Sequence, residues 1–130
     1  MEYRNNQRVV DLGAIRDNAR AICAAAGPGV LVMAVVKADA YGHGLLPASR
    51  AALAGGAAFL GAATLGDGLA LREAGVSAPI LVFGSFSKNG AEAAVREGIA
   101  QTVCRGEDVR RLQKACEAAG REAAVHLKVD

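Results

Sequence analysis

The sequence has no tryptophan and few aromatic or cysteine residues, and each shortage limits what the chain can be. Two tyrosines and three phenylalanines among 130 residues mean that a core must be built from aliphatic side chains. The three cysteines, Cys23, Cys104 and Cys116, show no CxxC spacing, so the sequence predicts neither a disulfide framework nor a metal site. Unpaired thiols are typical of a reducing cytoplasm.

Strong charge and long apolar runs are also missing. A formal net charge of +2 does not predict a nucleic-acid-binding surface. The longest apolar run, Val30–Val36, is far shorter than the roughly 20 residues of a membrane-spanning helix. The polar start, Met1–Asn6, lacks the apolar segment of a signal peptide. We therefore expect no membrane partner and a cytoplasmic location.

What the chain does contain is a regular alternation of apolar runs and amphipathic stretches. The apolar runs predict strands at Val30–Val36, Phe59–Thr64, Ile80–Phe83, Ile99–Cys104 and Ala123–Val129. The amphipathic stretches predict helices at Ala14–Ala26, Pro47–Ala54, Asp67–Ala74, Gly90–Glu97 and Glu107–Ala119. Asp11 is expected to cap the first helix. Apolar residues are expected to face inward at Ile15, Ala19, Ile22, Cys23 and Ala26 of the first helix and at Val109, Leu112, Cys116 and Ala119 of the last.

This alternation predicts βαβ units and a parallel sheet. The pattern does not decide between an open doubly wound sheet and a β/α barrel, although no GxGxxG follows the first strand. Five strands are about half of an eight-stranded barrel, which needs about 250 residues. We therefore expect residues 1–130 to be the amino-terminal part of a larger barrel domain.

Lys37 follows the first predicted strand directly, at the end where β/α barrels carry their active sites. A lysine shielded from water gives up its proton more readily, and the neutral amine can form a Schiff base with a cofactor such as pyridoxal 5'-phosphate (PLP). A lysine that only reaches solvent from a strand end would occupy the same position. Position alone leaves both interpretations open.

The residues around Lys37 distinguish between these two interpretations. Residues Ala34–Gly44 read AVVKADAYGHG, which resembles the PLP-attachment motif of alanine racemases. Decarboxylases and small PLP-homeostasis proteins share a lysine after a strand but lack the Tyr-Gly-His-Gly tail. Other family segments are similar to Val10–Asn18, Ala70–Gly75, Pro79–Gly84 and His126–Asp130. The resemblance covers nearly the whole chain and only the first part of the family's length.

The resemblance implies an α/β fold, a partial (β/α)8 TIM-type barrel with about five parallel strands and their helices. It implies that Lys37 binds PLP and acts as a base on one face of the substrate. Tyr41 would reach the cofactor phosphate. Val35 and Phe83 match positions near the cofactor ring, and Phe83 is larger than the leucine often found there. Lys128 matches a lysine that is carbamylated in some members.

Three further polar residues are given structural rather than catalytic roles. The family uses the position of His43 mainly for loop structure. Asp39 is expected to hold its loop through hydrogen bonds of its side chain to nearby backbone groups. Asp67 stands where the family often has glutamate, and we expect it to affect the start of a helix.

The implied reaction is the interconversion of L- and D-alanine, which supplies D-alanine for the bacterial cell wall. The family's second base is a tyrosine from the carboxyl-terminal β domain of the partner in a homodimer, and neither Tyr3 nor Tyr41 sits in that context. We therefore expect the 130-residue polypeptide alone neither to racemise alanine nor to hold PLP tightly. The alternatives are a serine or broad-specificity racemase, a non-catalytic PLP-binding protein, and a plain interaction module.

Overall fold

The computed structural model describes residues 7–129, which form one sheet with helices on a single face. The strands are β1 (Met33–Val35), β2 (Phe59–Ala62), β3 (Ile80–Val82), β4 (Ala100–Val103) and β5 (Val125–Leu127). The helical segments are α1 (Leu12–Ala26), α2 (Lys37–Gly42), α3 (Leu45–Ala54), α4 (Leu65–Glu73), α5 (Lys88–Arg96) and α6 (Gly106–Ala119). None of the helices within residues 7–129 combines the length and apolar character needed to cross a membrane.

All ten predicted elements are confirmed, and α2 is an element that the pattern did not predict. Each strand is shorter than its apolar run, because a strand extends only where its backbone pairs with a neighbour. Val30 and Leu31, for example, are apolar but exposed and precede the paired residues of β1.

The sheet is entirely parallel, and its strand order β1-β2-β3-β4-β5 follows the sequence. A doubly wound sheet reverses its strand order partway, and this sheet does not. Because every crossover moves one strand in the same direction, the helices all pack on one face. The five strands therefore form an arc of a β/α barrel, which confirms the predicted fold class.

The core lies between the sheet and the helices, in two clusters. The first joins the outward side chains of β1, β2 and β3 to α3 and α4, with Val36, Leu60, Ile80 and Val82 at its centre. The second joins β4 to α5 and α6 through Val103, Leu112 and Ala115. Within residues 7–129 the buried hydrophobic residues are alanine, valine, leucine and isoleucine with the one exception of Phe86, as the scarcity of aromatic residues predicted.

Side chains cap several helices at their first turns. The carboxylate of Asp11 accepts a hydrogen bond from Ala14 N at 3.0 Å, which confirms the predicted cap of α1. Thr64 and Asp67 form a reciprocal capping box at the start of α4. Asp67 therefore acts on the start of a helix, as expected.

The predicted inward faces of the first and last helices were partly wrong. Ile22 is 57% exposed and Val109 is 47% exposed, and Ala26 and Ala119 are exposed as well. Helix α1 packs mainly on α3, so only the narrow stripe of Ile15, Ala19 and Cys23 is covered. In α6 the buried stripe runs through Asp108, Leu112 and Ala115 instead, with Cys116 half-buried.

Candidate functional site

The candidate site is built around Lys37, the first residue after β1. Val36 points into the core and is 3% exposed, and its amide donates to Gly61 O at 2.8 Å, which fixes the end of the strand. Lys37 follows at the carboxyl end of the sheet, where the resemblance expects it. Its side chain is exposed, so the shielding from water that the sequence argument invoked is not provided by residues 7–129.

The backbone after Lys37 forms a left-handed turn. Ala38, Asp39, Ala40 and Tyr41 all have φ between 51° and 54° and ψ between 35° and 54°. For residues other than glycine this conformation costs about 1–2 kcal/mol each, and a run of four is unusual. Such strain persists only where surrounding contacts enforce it, and it is concentrated at functional sites.

Local hydrogen bonds hold the turn in place. Ala40 N donates to Val36 O at 2.9 Å, and Ala40 itself is buried. His43 donates to Ala40 O through both its amide, at 3.1 Å, and its ring Nδ1, at 2.8 Å. The contact of the His43 ring agrees with the structural role expected from the sequence.

Asp39 links the turn to the next helix. One of its carboxylate oxygens accepts a hydrogen bond from Leu45 N, the first residue of α3, at 2.7 Å. Its carbonyl accepts from Gly44 N at 2.9 Å. These side-chain and backbone bonds confirm the loop-holding role predicted for Asp39.

The turn brings Tyr41 back to Lys37. The lysine Nζ lies 5.8 Å from the centre of the tyrosine ring, within the range of a cation–π contact. Tyr41 is 62% exposed, so its hydroxyl is accessible to a ligand at the open end of the strands. An amine and a phenol are thus side by side.

Val35 and Phe83 lie on the sheet face opposite the helices. Val35 pairs in register with Gly61, and the ring of Phe83 covers that glycine. A Cβ on Gly61 would lie 2.5 Å from Phe83 Cζ and 3.0 Å from Met33 Sδ. The absence of a side chain at Gly61 therefore makes room for the large ring of Phe83, and sequence reasoning missed this glycine because its partner is on another strand.

Lys128 is not brought together with Lys37. It follows β5, and its amide donates to Val103 O at 2.9 Å. Strands β2, β3 and β4 separate β5 from β1 in the sheet, although both lysines follow the carboxyl ends of their strands. Tyr3 and Asp130, two residues weighed in the sequence, lie outside the described residues.

Metal binding was the other kind of site considered for residues 7–129. That part of the chain holds no group of three or more His, Cys, Asp or Glu side chains arranged to bind a metal ion. Cys23, Cys104 and Cys116 are all free thiols, as their spacing predicted.

Comparison with known proteins gives a consistent result. Residues 10–130 match the family model described as alanine racemase, N-terminal domain. The chain is 46% identical over 121 residues to an alanine racemase of Symbiobacterium thermophilum and 45% identical over 124 residues to one of Mycolicibacterium smegmatis. These matches cover 93% and 95% of this chain and 32% of each relative.

Solved structures agree with the fold. The alanine racemase of Streptomyces coelicolor A3(2) superposes with a TM-score of 0.87 at 42% identity, covering 93% of this chain and 32% of that one. The alanine racemase of E. faecalis gives the same TM-score at 33% identity. The chain thus spans about a third of the length of the relatives it matches.

Proposed function

We propose, since the chain belongs to the family of alanine racemase N-terminal domains, that it provides the PLP-binding part of an enzyme that interconverts L- and D-alanine. The observation that carries the proposal is Lys37 at the carboxyl end of β1, with its Nζ beside the ring of Tyr41. Residues 1–130 would form the amino-terminal part of the cofactor-binding barrel domain.

The side chains present fit the chemical needs of PLP. An aldehyde needs a primary amine, and Lys37 has an exposed one. A phosphate needs hydrogen-bond donors, and the accessible hydroxyl of Tyr41 is one. The pyridine ring needs apolar contacts, and Val35 and Phe83 offer partly exposed apolar surface on the sheet face opposite the helices. Lys37 would hold the cofactor covalently, and Tyr41 would donate to its phosphate.

Each residue would then have a distinct task in racemisation. PLP, when bound, supplies the electron sink that stabilises negative charge on the substrate Cα. The freed Nζ of Lys37 would remove or return the Cα proton on one face of the substrate. Val35 and Phe83 would orient the ring and exclude water from it. The base for the opposite face would come from outside the described residues, as the resemblance implies.

Lys128 has a less direct part in the proposal. A carbamate on its Nζ would replace a cation by an anion, which could pair with an arginine outside these residues. Its exposed position at the carboxyl end of the sheet would make the amine accessible to carbon dioxide.

The proposal also includes the oligomeric state, the location and the cellular role of the enzyme. We expect a homodimer in the cytoplasm that supplies D-alanine for the cell wall, with alanine as its small-molecule substrate. The free thiols of the three cysteines are consistent with a reducing compartment. A serine or broad-specificity racemase and a non-catalytic PLP-binding protein are the alternatives, and both would use the same amine and phenol.

Reductive trapping of PLP tests the proposal directly. Protein expressed from the complete gene is mixed with PLP, reduced with borohydride, digested and analysed by mass spectrometry. We expect the adduct on the peptide containing Lys37, and we expect Lys37→Arg to abolish both the adduct and racemase turnover.

A second lysine provides the matched control. Lys114 is exposed on α6, away from the carboxyl ends of the strands, and Lys114→Arg should leave adduct and turnover unchanged. Faster labelling of another lysine than of Lys37 in the unsubstituted protein would disprove the role of Lys37. An adduct on Lys37 without alanine turnover would favour one of the alternatives.

A further inference from the structure

We infer that Asp39 is a positioning residue that fixes the turn carrying Lys37 and Tyr41, an inference that rests on the function proposed for that site. Asp39 lies in the middle of the left-handed turn, with φ 54° and ψ 44°. Its carboxylate accepts a hydrogen bond from Leu45 N, six residues along the chain, at 2.7 Å. One side chain therefore joins the turn to the start of α3.

The first turn of α3 has no capping side chain of its own, so the Asp39 carboxylate occupies an otherwise unfilled position. Gly44, the residue before the helix, has no side chain, and Pro47 in the first turn has no N–H. The N-terminus of a helix carries partial positive charge and unpaired N–H groups, so a carboxylate there is stabilising. Asp39 supplies from a distance what serine or threonine usually supplies at the capping position.

The hydrogen bond between Asp39 and Leu45 N restrains the turn because α3 itself is held in place by packing. Ala48, Ser49 and Ala52 of α3 are buried against the core, so the start of this helix is fixed. Through Asp39 the turn shares that fixed position, and Lys37 and Tyr41 stand on either side of the linked residue. Loss of the link would let the turn relax toward less strained conformations and separate the amine from the phenol.

Replacement of Asp39 by two residues that both tolerate the left-handed conformation isolates the hydrogen bond. Asparagine at this position would keep a side-chain oxygen that can accept the hydrogen bond from Leu45 N. Glycine would adopt the left-handed conformation easily but has no side chain to accept that bond. We expect Asp39→Gly to slow the borohydride-trapped labelling of Lys37 by PLP about tenfold, the size of one charge-assisted hydrogen bond. We expect Asp39→Asn to label within about twofold of the unsubstituted protein, since asparagine caps helices as well as aspartate.

The control is Asp11→Gly, which removes an equivalent bond from a carboxylate to Ala14 N at the start of α1. All variants are made in the protein expressed from the complete gene, and labelling of Lys37 is measured relative to that of Lys114 in the same sample. Asp11→Gly should leave this ratio unchanged even if it lowers the unfolding midpoint.

Three results would overturn the inference: normal labelling in Asp39→Gly, labelling in Asp39→Asn as slow as in Asp39→Gly, or an equal loss in Asp11→Gly. A failure of the proposed function appears separately, as absence of PLP from Lys37 in the unsubstituted protein, and it would remove this inference as well.

Discussion

At the scale of single residues, the candidate site depends on two pairs of residues that are brought together in different ways. Lys37 and Tyr41 are four residues apart and meet because the backbone between them turns. Gly61 of β2 lies beside Phe83, the residue after β3, and the two fit because Gly61 has no side chain for the Phe83 ring to strike. The first pair can be recognised in the sequence as part of a motif. The second pair can be recognised only when the register of the strands is known.

The hydroxyl of Tyr41 can be tested apart from its ring. Tyr41→Phe keeps the ring beside Lys37 and removes only the donor proposed for the cofactor phosphate. We expect the Kd for PLP to rise about tenfold, because a hydrogen bond to a charged group contributes about 1.5 kcal/mol. Affinity should be measured by titration of the protein with PLP.

Pyridoxal, which lacks the phosphate, is the matched control ligand. Tyr41→Phe should leave the affinity for pyridoxal unchanged. An equal loss for both ligands would mean that the hydroxyl supports the turn rather than the phosphate, and no loss for either would contradict the proposed contact.

At the scale of helices and strands, close packing of α1 on α3 rests on one glycine. A Cβ on Gly55 would lie 2.3 Å from Arg16 O and 2.6 Å from the Cβ of Ala19, both on α1. The φ of Gly55 is −81°, which any residue can adopt, so its requirement is for space alone. Backbone on one side and a short side chain on the other leave little room for adjustment.

We expect Gly55→Ala to lower the free energy of unfolding by about 1–3 kcal/mol, the usual cost of overpacking. Gly66→Ala in α4 is the matched control, because the nearest atom to its Cβ would be Thr64 Oγ1 at an ordinary 3.6 Å. Alanine should raise stability there by about 0.5 kcal/mol through its helix propensity. The free energies of unfolding of both variants are measured by urea denaturation. A Gly55→Ala variant as stable as the unsubstituted protein would contradict the close contact between Gly55 and α1.

The same scale explains how far the sequence could predict the structure. The Asp11 cap, the parallel strands and the position of Lys37 follow from local rules, and all agree with the structure. The left-handed turn could not be predicted, because Ala38 and Ala40 favour right-handed backbone and the hydrogen bonds that hold the turn are known only from the folded chain. The exposure of Ile22 could not be predicted either, because it depends on which neighbours α1 meets.

At the scale of the whole molecule, adjacent β/α units are joined at the end of the sheet opposite Lys37. Arg72 of α4 donates to the carbonyl oxygens of Val76 and Ala78 before β3, and to those of Glu97 and Gly98 before β4. Its partial burial lowers the pKa of the guanidinium, which is nevertheless charged at any physiological pH. One side chain thus fixes two loops and leaves the carboxyl ends of the strands to carry the site.

The sheet is open at both edges within residues 7–129. No strand there pairs with the free edge of β1 or with that of β5. On the helix-facing side of β5, Leu127 is 74% exposed and Val125 is 47% exposed. Lys37 stands at one of these open edges, which explains why its amine faces solvent in an arc of five strands.

An open arc should be a poor racemase, and this can be tested on residues 1–130 made as a separate polypeptide. We expect no measurable interconversion of L- and D-alanine, because a proton can be transferred at only one face of the substrate and water reaches Lys37 freely. We also expect PLP to separate from the polypeptide on gel filtration, since Tyr41 alone contacts the phosphate in the proposed site.

A full-length relative assayed in parallel provides the positive control. Turnover close to that of the relative would show that five strands suffice for both proton transfers, and the proposed need for a second base from elsewhere would then be wrong.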